Sequence, residues 1–166
     1  PGVRSRIFAY PINNGKASSA GVAISGNLKG DTPSKPYGGG EEITVSPDGK
    51  MVYFALREAG RNEAISTNLD IFAAAADGSS GPVNLTDAND GMDTLPTLSP
   101  DGKTLAYVSM ARATYEADRQ VLMLRDLASG KVRALTQSWD RSIASYAWST
   151  DGKSILATAD DHLEAP

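Results

Sequence analysis

Two clusters of ionisable side chains hold most of the chemistry this chain could perform. Glu41 and Glu42 form a pair of adjacent carboxylates directly after Gly38-Gly39-Gly40. Paired carboxylates can hold a cationic group, such as a peptide amino terminus, through charge-assisted hydrogen bonds; equally, they can be a solvated strand end. Tyr115, Glu116, Asp118 and Arg119 form the second cluster, on what reads as one loop. They can grip a peptide, fix their own loop as an ion-pair network, or dock a neighbouring domain. Trp139-Asp140-Arg141 reads as a structural corner, its indole packed between sheets and its Asp and Arg bonded to loop backbone.

Nucleophilic catalysis has little to build on. His162 is the single histidine and reads as a solvent-exposed residue near the chain's end. No Gly-x-Ser-x-Gly elbow occurs, and Gly78-Ser79-Ser80-Gly81 is a turn. A Ser/His/Asp triad cannot be assembled, so no catalytic residue is assigned and the chain by itself is expected to be inactive. With no Cys there is neither a disulfide nor a thiolate site, and no metal or cofactor is expected. A net charge of −4, from 16 Lys+Arg against 20 Asp+Glu, offers no basic stripe for nucleic acid. Apolar runs such as Ile71 to Ala76 fall far short of the ~20 residues of a membrane helix. With Pro1 in place of Met, the expectation is a processed product or an excised piece.

The elements that position these residues are announced by a repeat. Ser46-Pro47-Asp48-Gly49-Lys50 returns as Ser99-Pro100-Asp101-Gly102-Lys103 and again as Ser149-Thr150-Asp151-Gly152-Lys153, in steps of about 50 residues. Pro fixes φ at the first bend, Asp accepts from nearby backbone donors, and Gly takes the positive φ of a tight hairpin. Asp48, Gly49, Asp101, Gly102, Asp151 and Gly152 are therefore read as structural turn residues. Runs rich in β-branched and aromatic residues, Met51 to Leu56 and Thr104 to Ser109, follow the first two turns immediately. Further runs at Ile71 to Ala76 and Val121 to Leu127, then Val83 to Thr86 and Val132 to Thr136, complete a four-strand unit A-B-C-D. Strand A is placed at Ile43–Val45 and at Leu95–Leu98.

A repeated four-stranded antiparallel unit of this length is the blade of a β-propeller. The expectation is an all-β chain holding about three blades' worth of a propeller that is not closed. Residues 41–92 and 93–142 are the complete blades. Residues 1–25 supply outer strands of an incomplete blade, with Arg4 to Ile12 as one strand and Asn13-Asn14-Gly15 as its turn. Residues 26–40 are a Pro/Gly-rich connector, and 143–166 supply inner strands of a further incomplete blade. A–B and C–D turns fall on one face of the ring. The long charged B–C and D–A loops, including Arg57 to Asn68, Asp87 to Asp93, Ala111 to Arg119 and Gln137 to Ser142, fall on the other, which is the candidate binding face.

Several of these stretches resemble one family. Asp31-Thr-Pro-Ser-Lys-Pro-Tyr-Gly-Gly39, Glu41-Glu42 before the first Ser-Pro-Asp-Gly, Ser66-Thr-Asn-Leu-Asp70, Met110-Ala-Arg112 with Tyr115-Glu-Ala-Asp-Arg119, Trp139-Asp-Arg-Ser142 and Thr158-Ala-Asp-Asp161 occur in that order. Together they are similar to the propeller of the prolyl oligopeptidase family of serine peptidases, in its dipeptidyl peptidase V and acylaminoacyl-peptidase branch. The resemblance implies a non-catalytic, WD40-like propeller that gates access for short peptides and helps bind their amino terminus. Cleavage would belong to an α/β-hydrolase domain outside this chain, which with the remaining blades would be its partner. Periplasmic or secreted placement is likewise implied. One departure is visible: Ile65 stands where the branch usually has an aromatic. The alternative is a periplasmic propeller that binds or scaffolds a partner, such as a Tol-associated protein, with no peptidase domain.

Overall fold

Each of the three Asp-Gly-Lys turn motifs closes on itself in the same way in the computed structural model, which describes residues 3–17, 20–58, 60 and 65–161. The Ser46 hydroxyl donates to Asp48 Oδ1 at 2.6 Å, Lys50 N–H donates to the same oxygen at 3.1 Å, and Ser46 Oγ accepts from Met51 N–H at 2.9 Å. The turns at Ser99 and Ser149 repeat the two Asp contacts at 2.6 and 3.1 Å. Gly49, Gly102 and Gly152 adopt φ of +73°, +69° and +68°, a region that costs little only for glycine. These turns set the register of the strands on either side.

Two four-stranded antiparallel sheets result. The first runs β5 (Ile43–Val45), β6 (Met51–Leu56), β7 (Asp70–Ala75), β8 (Val83–Asn84), in that spatial order. The second runs β9 (Asp93–Leu98), β10 (Thr104–Ser109), β11 (Val121–Asp126), β12 (Val132–Ala134). A two-stranded sheet, β13 (Ser145–Trp148) with β14 (Ile155–Thr158), follows. The chain is thus all-β with meandering sheets, none of them closed into a ring. No helix among the described residues is long and apolar enough to cross a membrane.

The sheets stack face to face. Tyr53, Ile71 and Ala73 of the first pack against Leu98, Leu105 and Tyr107 of the second. Ala106, Val108, Leu122 and Leu124, on the far side of the second, pack against Ile143, Tyr146, Trp148 and Ile155. Alternate residues of β10 therefore face opposite neighbours, as the two-residue period of a strand requires. Burying side chains of this size contributes roughly 1.5–3 kcal/mol each. Trp148 also donates from Nε1 to the Thr97 carbonyl at 3.3 Å, fixing its ring between sheets.

The amino-terminal part departs from expectation. In place of one strand over Arg4 to Ile12 there are short pieces, β1 (Phe8–Ala9) and β2 (Ile12–Asn13), separated at Tyr10-Pro11. Pro11 has no N–H to continue a ladder. β2 pairs with β3 (Lys16–Ala17) across Asn14-Gly15, and β1 pairs with β4 (Val22–Ala23). Ile7, Ala9, Val22 and Ile24 cover the Val52, Phe54 and Phe72 side of the first sheet, where Phe54 and Phe72 stack at 5.9 Å. His162 lies outside the described residues.

Candidate functional site

The connector after β4 has no strand, and two carboxylates hold it down. Asp31 accepts from Ser5 N–H at 2.5 Å and pairs with Lys35 at 2.9 Å and Arg4 at 3.2 Å. Burial opposes its ionisation, and the Ser5 N–H and the two cations outweigh that, so its carboxyl stays below the usual range. Glu42, in a single 3-10 turn (Gly40–Glu42) ahead of β5, accepts from the N–H and the hydroxyl of Ser34, both at 2.6 Å. A side chain at Gly38 would begin 2.4 Å from Glu42 Oε2, so this close approach needs glycine. Glu42 is buried, whereas Glu41 beside it is exposed.

The B–C loops of the two complete sheets are stitched together. Thr114 N–H donates to Thr67 Oγ1 at 2.8 Å. Thr114 holds φ at +61°, an uncommon conformation for a β-branched residue that its surroundings must enforce. Asp118 accepts from Arg112 N–H at 2.8 Å and Ala111 N–H at 3.0 Å. Burial disfavours its charge, but the backbone donors of Arg112, Arg119 and Ala111 win and its carboxyl sits low. Arg112 lies over the Tyr115 ring at 4.3 Å. The Arg119 guanidinium donates to the carbonyls of Thr136, Gln137 and Trp139, clamping the following D–A loop.

Of the six candidate binding residues, Glu42, Asp118 and Arg119 thus have framework partners, Tyr115 is partly exposed with Arg112 over its ring, and Glu41 and Glu116 are exposed. The structure brings Glu41, Glu42 and Glu116 to one pocket of about 430 Å³ on the long-loop face. Its walls include apolar Leu69, Met92 and Met110. Arg57, Thr67 and Glu116 are shared with an adjoining pocket of about 400 Å³ that also contains Ile65 and Tyr115. Arg57 was not singled out by the sequence. Its Nε is buried without a hydrogen-bond partner among the described residues. A lone Arg closing strand β6 beside Glu58 carries no pattern that marks it in advance.

Trp139 differs from the packed corner expected of it: the residue is 43% exposed, and Trp148 is the tryptophan between sheets. The Arg119 clamp fixes the Trp139 carbonyl, not the indole. Arg141 pairs with Asp140 and with Asp161 at 3.2 Å, linking this corner to the end of β14.

Two buried acids adjoin pocket-lining residues in the chain, Asp70 after Leu69 and Asp93 after Met92. Asp70 meets the Thr86 hydroxyl at 3.3 Å, and Asp93, 1% exposed, meets Asn89 Nδ2 at 3.1 Å. Burial, aided by the charge of Asp70, pushes Asp93 up to about 6 against the donors Ser109 and Asn89. Asp70 is also raised, by burial first. No group of three or more His, Cys, Asp or Glu among the described residues is arranged to hold a metal ion.

Stacked four-stranded meanders joined by tight turns on one face and long loops on the other define an open β-propeller. A solved structure of TolB from Acinetobacter baumannii matches it with a TM-score of 0.56 at 23% identity, over 83% of this chain and 29% of that one, a likeness of fold. No protein-family model matches the chain. The dipeptidyl-peptidase 5 of Trichophyton schoenleinii is 36% identical over 141 residues, 80% of this chain and 19% of that protein. A probable dipeptidyl-peptidase 5 of Emericella nidulans is 35% identical over 160 residues, 88% of this chain and 22% of that protein. The chain belongs with the propeller segments of these dipeptidyl-peptidase 5 proteins, and it spans about a fifth of their length.

Proposed function

We propose that this chain is the non-catalytic propeller segment of a serine exopeptidase of the prolyl oligopeptidase family, and that its long-loop face receives the amino terminus of a short peptide. The observation that carries this reading is the convergence of Glu41, Glu42 and Glu116 with Arg57 on one pocket of about 430 Å³. An ammonium group entering there meets Glu41 and Glu116, whose neighbour Glu42 is already committed to Ser34. Arg57, a fixed fork of donors, suits a peptide carbonyl one residue further on. The methionine and leucine walls suit a side chain of moderate size.

Recognition of the amine away from the nucleophile fixes which bond is presented for cleavage. The nucleophile, base and oxyanion donors belong to an α/β-hydrolase domain outside this chain. The propeller filters by size, admitting short peptides and excluding folded proteins. Export to the periplasm or the medium goes with this reading.

The test is kinetic and uses the full-length protein. Glu41→Gln and Glu116→Gln should each raise KM for free-amine dipeptidyl substrates, roughly tenfold for one lost charge-assisted hydrogen bond. Acyl-blocked substrates should be unaffected. Equal changes with both substrates would remove these carboxylates from amine recognition.

A further inference from the structure

The A–B turns touch one another in sequence around the arc. A side chain on Gly102 would begin 3.1 Å from Pro47 Cδ, and one on Gly152 would begin 3.4 Å from Pro100 Cδ. Each prolyl ring therefore lies over the bare Cα of the glycine in the next turn. The contact recurs at both junctions between turns; a Cβ would crowd the ring at Gly102 and touch it at Gly152.

Gly49 is the same glycine in the first turn. It has the same positive φ, and its N–H bonds the Ser46 carbonyl at 2.8 Å, as Gly102 and Gly152 bond Ser99 and Ser149. Yet nothing lies within 4 Å of where its side chain would be, and it is exposed where the other two are half-buried. It edges a hollow of about 750 Å³ shared by Met51, Ala75 and Ala76 with Ala9, Tyr10 and Val22. On this side the first sheet is covered by Ile7, Ala9, Val22 and Ile24. At the other junctions the equivalent cover includes an A–B hairpin.

We infer that Gly49 is the docking point for the A–B hairpin of another blade, contributed by the longer protein, whose turn proline lies on Gly49 as Pro47 lies on Gly102. One contact seen twice is thereby continued by one step into a space of suitable size and largely apolar lining. The relatives, of which this chain spans 19–22%, have ample length to supply such a hairpin. A second copy of this chain is a poorer occupant, since its outermost A–B turn offers Thr150 where the ring would be.

Alanine at three glycines of the full-length protein tests this. Gly15 has φ of +73° and nothing within 4 Å, so Gly15→Ala reads the cost of backbone strain alone. Gly102→Ala adds the clash with Pro47. Gly49→Ala should lower Tm as Gly102→Ala does, by at least a few degrees beyond Gly15→Ala. A Gly49→Ala effect equal to that of Gly15→Ala overturns the inference. A second readout holds even where variants fail to fold: the structure of the full-length protein should place a proline ring against the Gly49 Cα. A bare Gly49, or a Gly49 covered by another copy, overturns it as well.

Discussion

Glu42 accepts both the N–H and the hydroxyl of Ser34, each at 2.6 Å, so two chemically identical neighbours have separate duties. Glu42 ties the connector to the first blade, and Glu41 remains exposed at the pocket. Glu42→Gln should therefore destabilise the protein by about 1–3 kcal/mol, because an amide cannot accept from both donors as the carboxylate does. Glu41→Gln should leave Tm unchanged while raising KM for free amines. Thermal melting and kinetics on the two single variants distinguish the roles; a Tm loss shared equally by both would refute the division.

Arg119 is predicted to act on stability through the D–A loop. Lys in its place loses the fork that spans Thr136, Gln137 and Trp139. Arg119→Lys should cost about 1–2 kcal/mol. Hydrogen exchange should accelerate across residues 136–141 and stay unchanged in β6. Uniform exchange rates in variant and parent would show that the clamp does not hold the loop.

Asp93 gives a pH dependence whose sign follows from its raised carboxyl. The unfolded chain releases this proton near 3.8 and the folded chain near about 6, so the folded state binds it more tightly. Its contribution is most favourable at low pH and is lost as pH rises through that window, reaching a penalty of up to about 3 kcal/mol at pH 7. Asp93→Asn should stabilise the protein at about pH 8 and remove this part of the slope. Urea midpoints of variant and parent across that range provide the measurement. An unchanged difference between them from about pH 4 to about pH 8 would exclude Asp93 as the titrating group.

The turn serines should contribute to stability through their paired hydrogen bonds, and Ser99 is the buried one. Ser99 Oγ both donates to Asp101 at 2.6 Å and accepts from Thr104 N–H at 3.0 Å. Ser99→Ala should cost about 1 kcal/mol. Gly102→Val should cost more, since it adds positive-φ strain of about 1–3 kcal/mol to the clash with Pro47. A Gly102→Val protein melting at the parental temperature would mean that the hairpin is wrongly assigned.

The sheets were legible in the sequence because their information is local. An Asp-Gly turn next to β-branched and aromatic runs specifies a hairpin within about 15 residues, and three copies confirm one another. The amino-terminal strands were less legible because β1 finds β4 across an intervening hairpin, a pairing no local pattern encodes. The site was legible only in part for a related reason. Glu41 and Glu42 look alike in sequence, and only the path of the connector decides which one Ser34 engages. Arg57 was invisible because its importance lies in what fails to surround it. Trp139 was misjudged because nothing local to Trp139-Asp140-Arg141 tells a packed ring from an exposed one; Trp148, carried on β13, is the tryptophan that packs.

The bond from Thr114 to Thr67 has a mechanical consequence. Because it joins loops borne by adjacent blades, neither loop can swing outward alone without breaking it. The aperture of the pocket is governed by the angle between two whole sheets, much as an iris is governed by its leaves. Under the proposed function, selection of peptides by size would then follow the angle between these two neighbouring sheets.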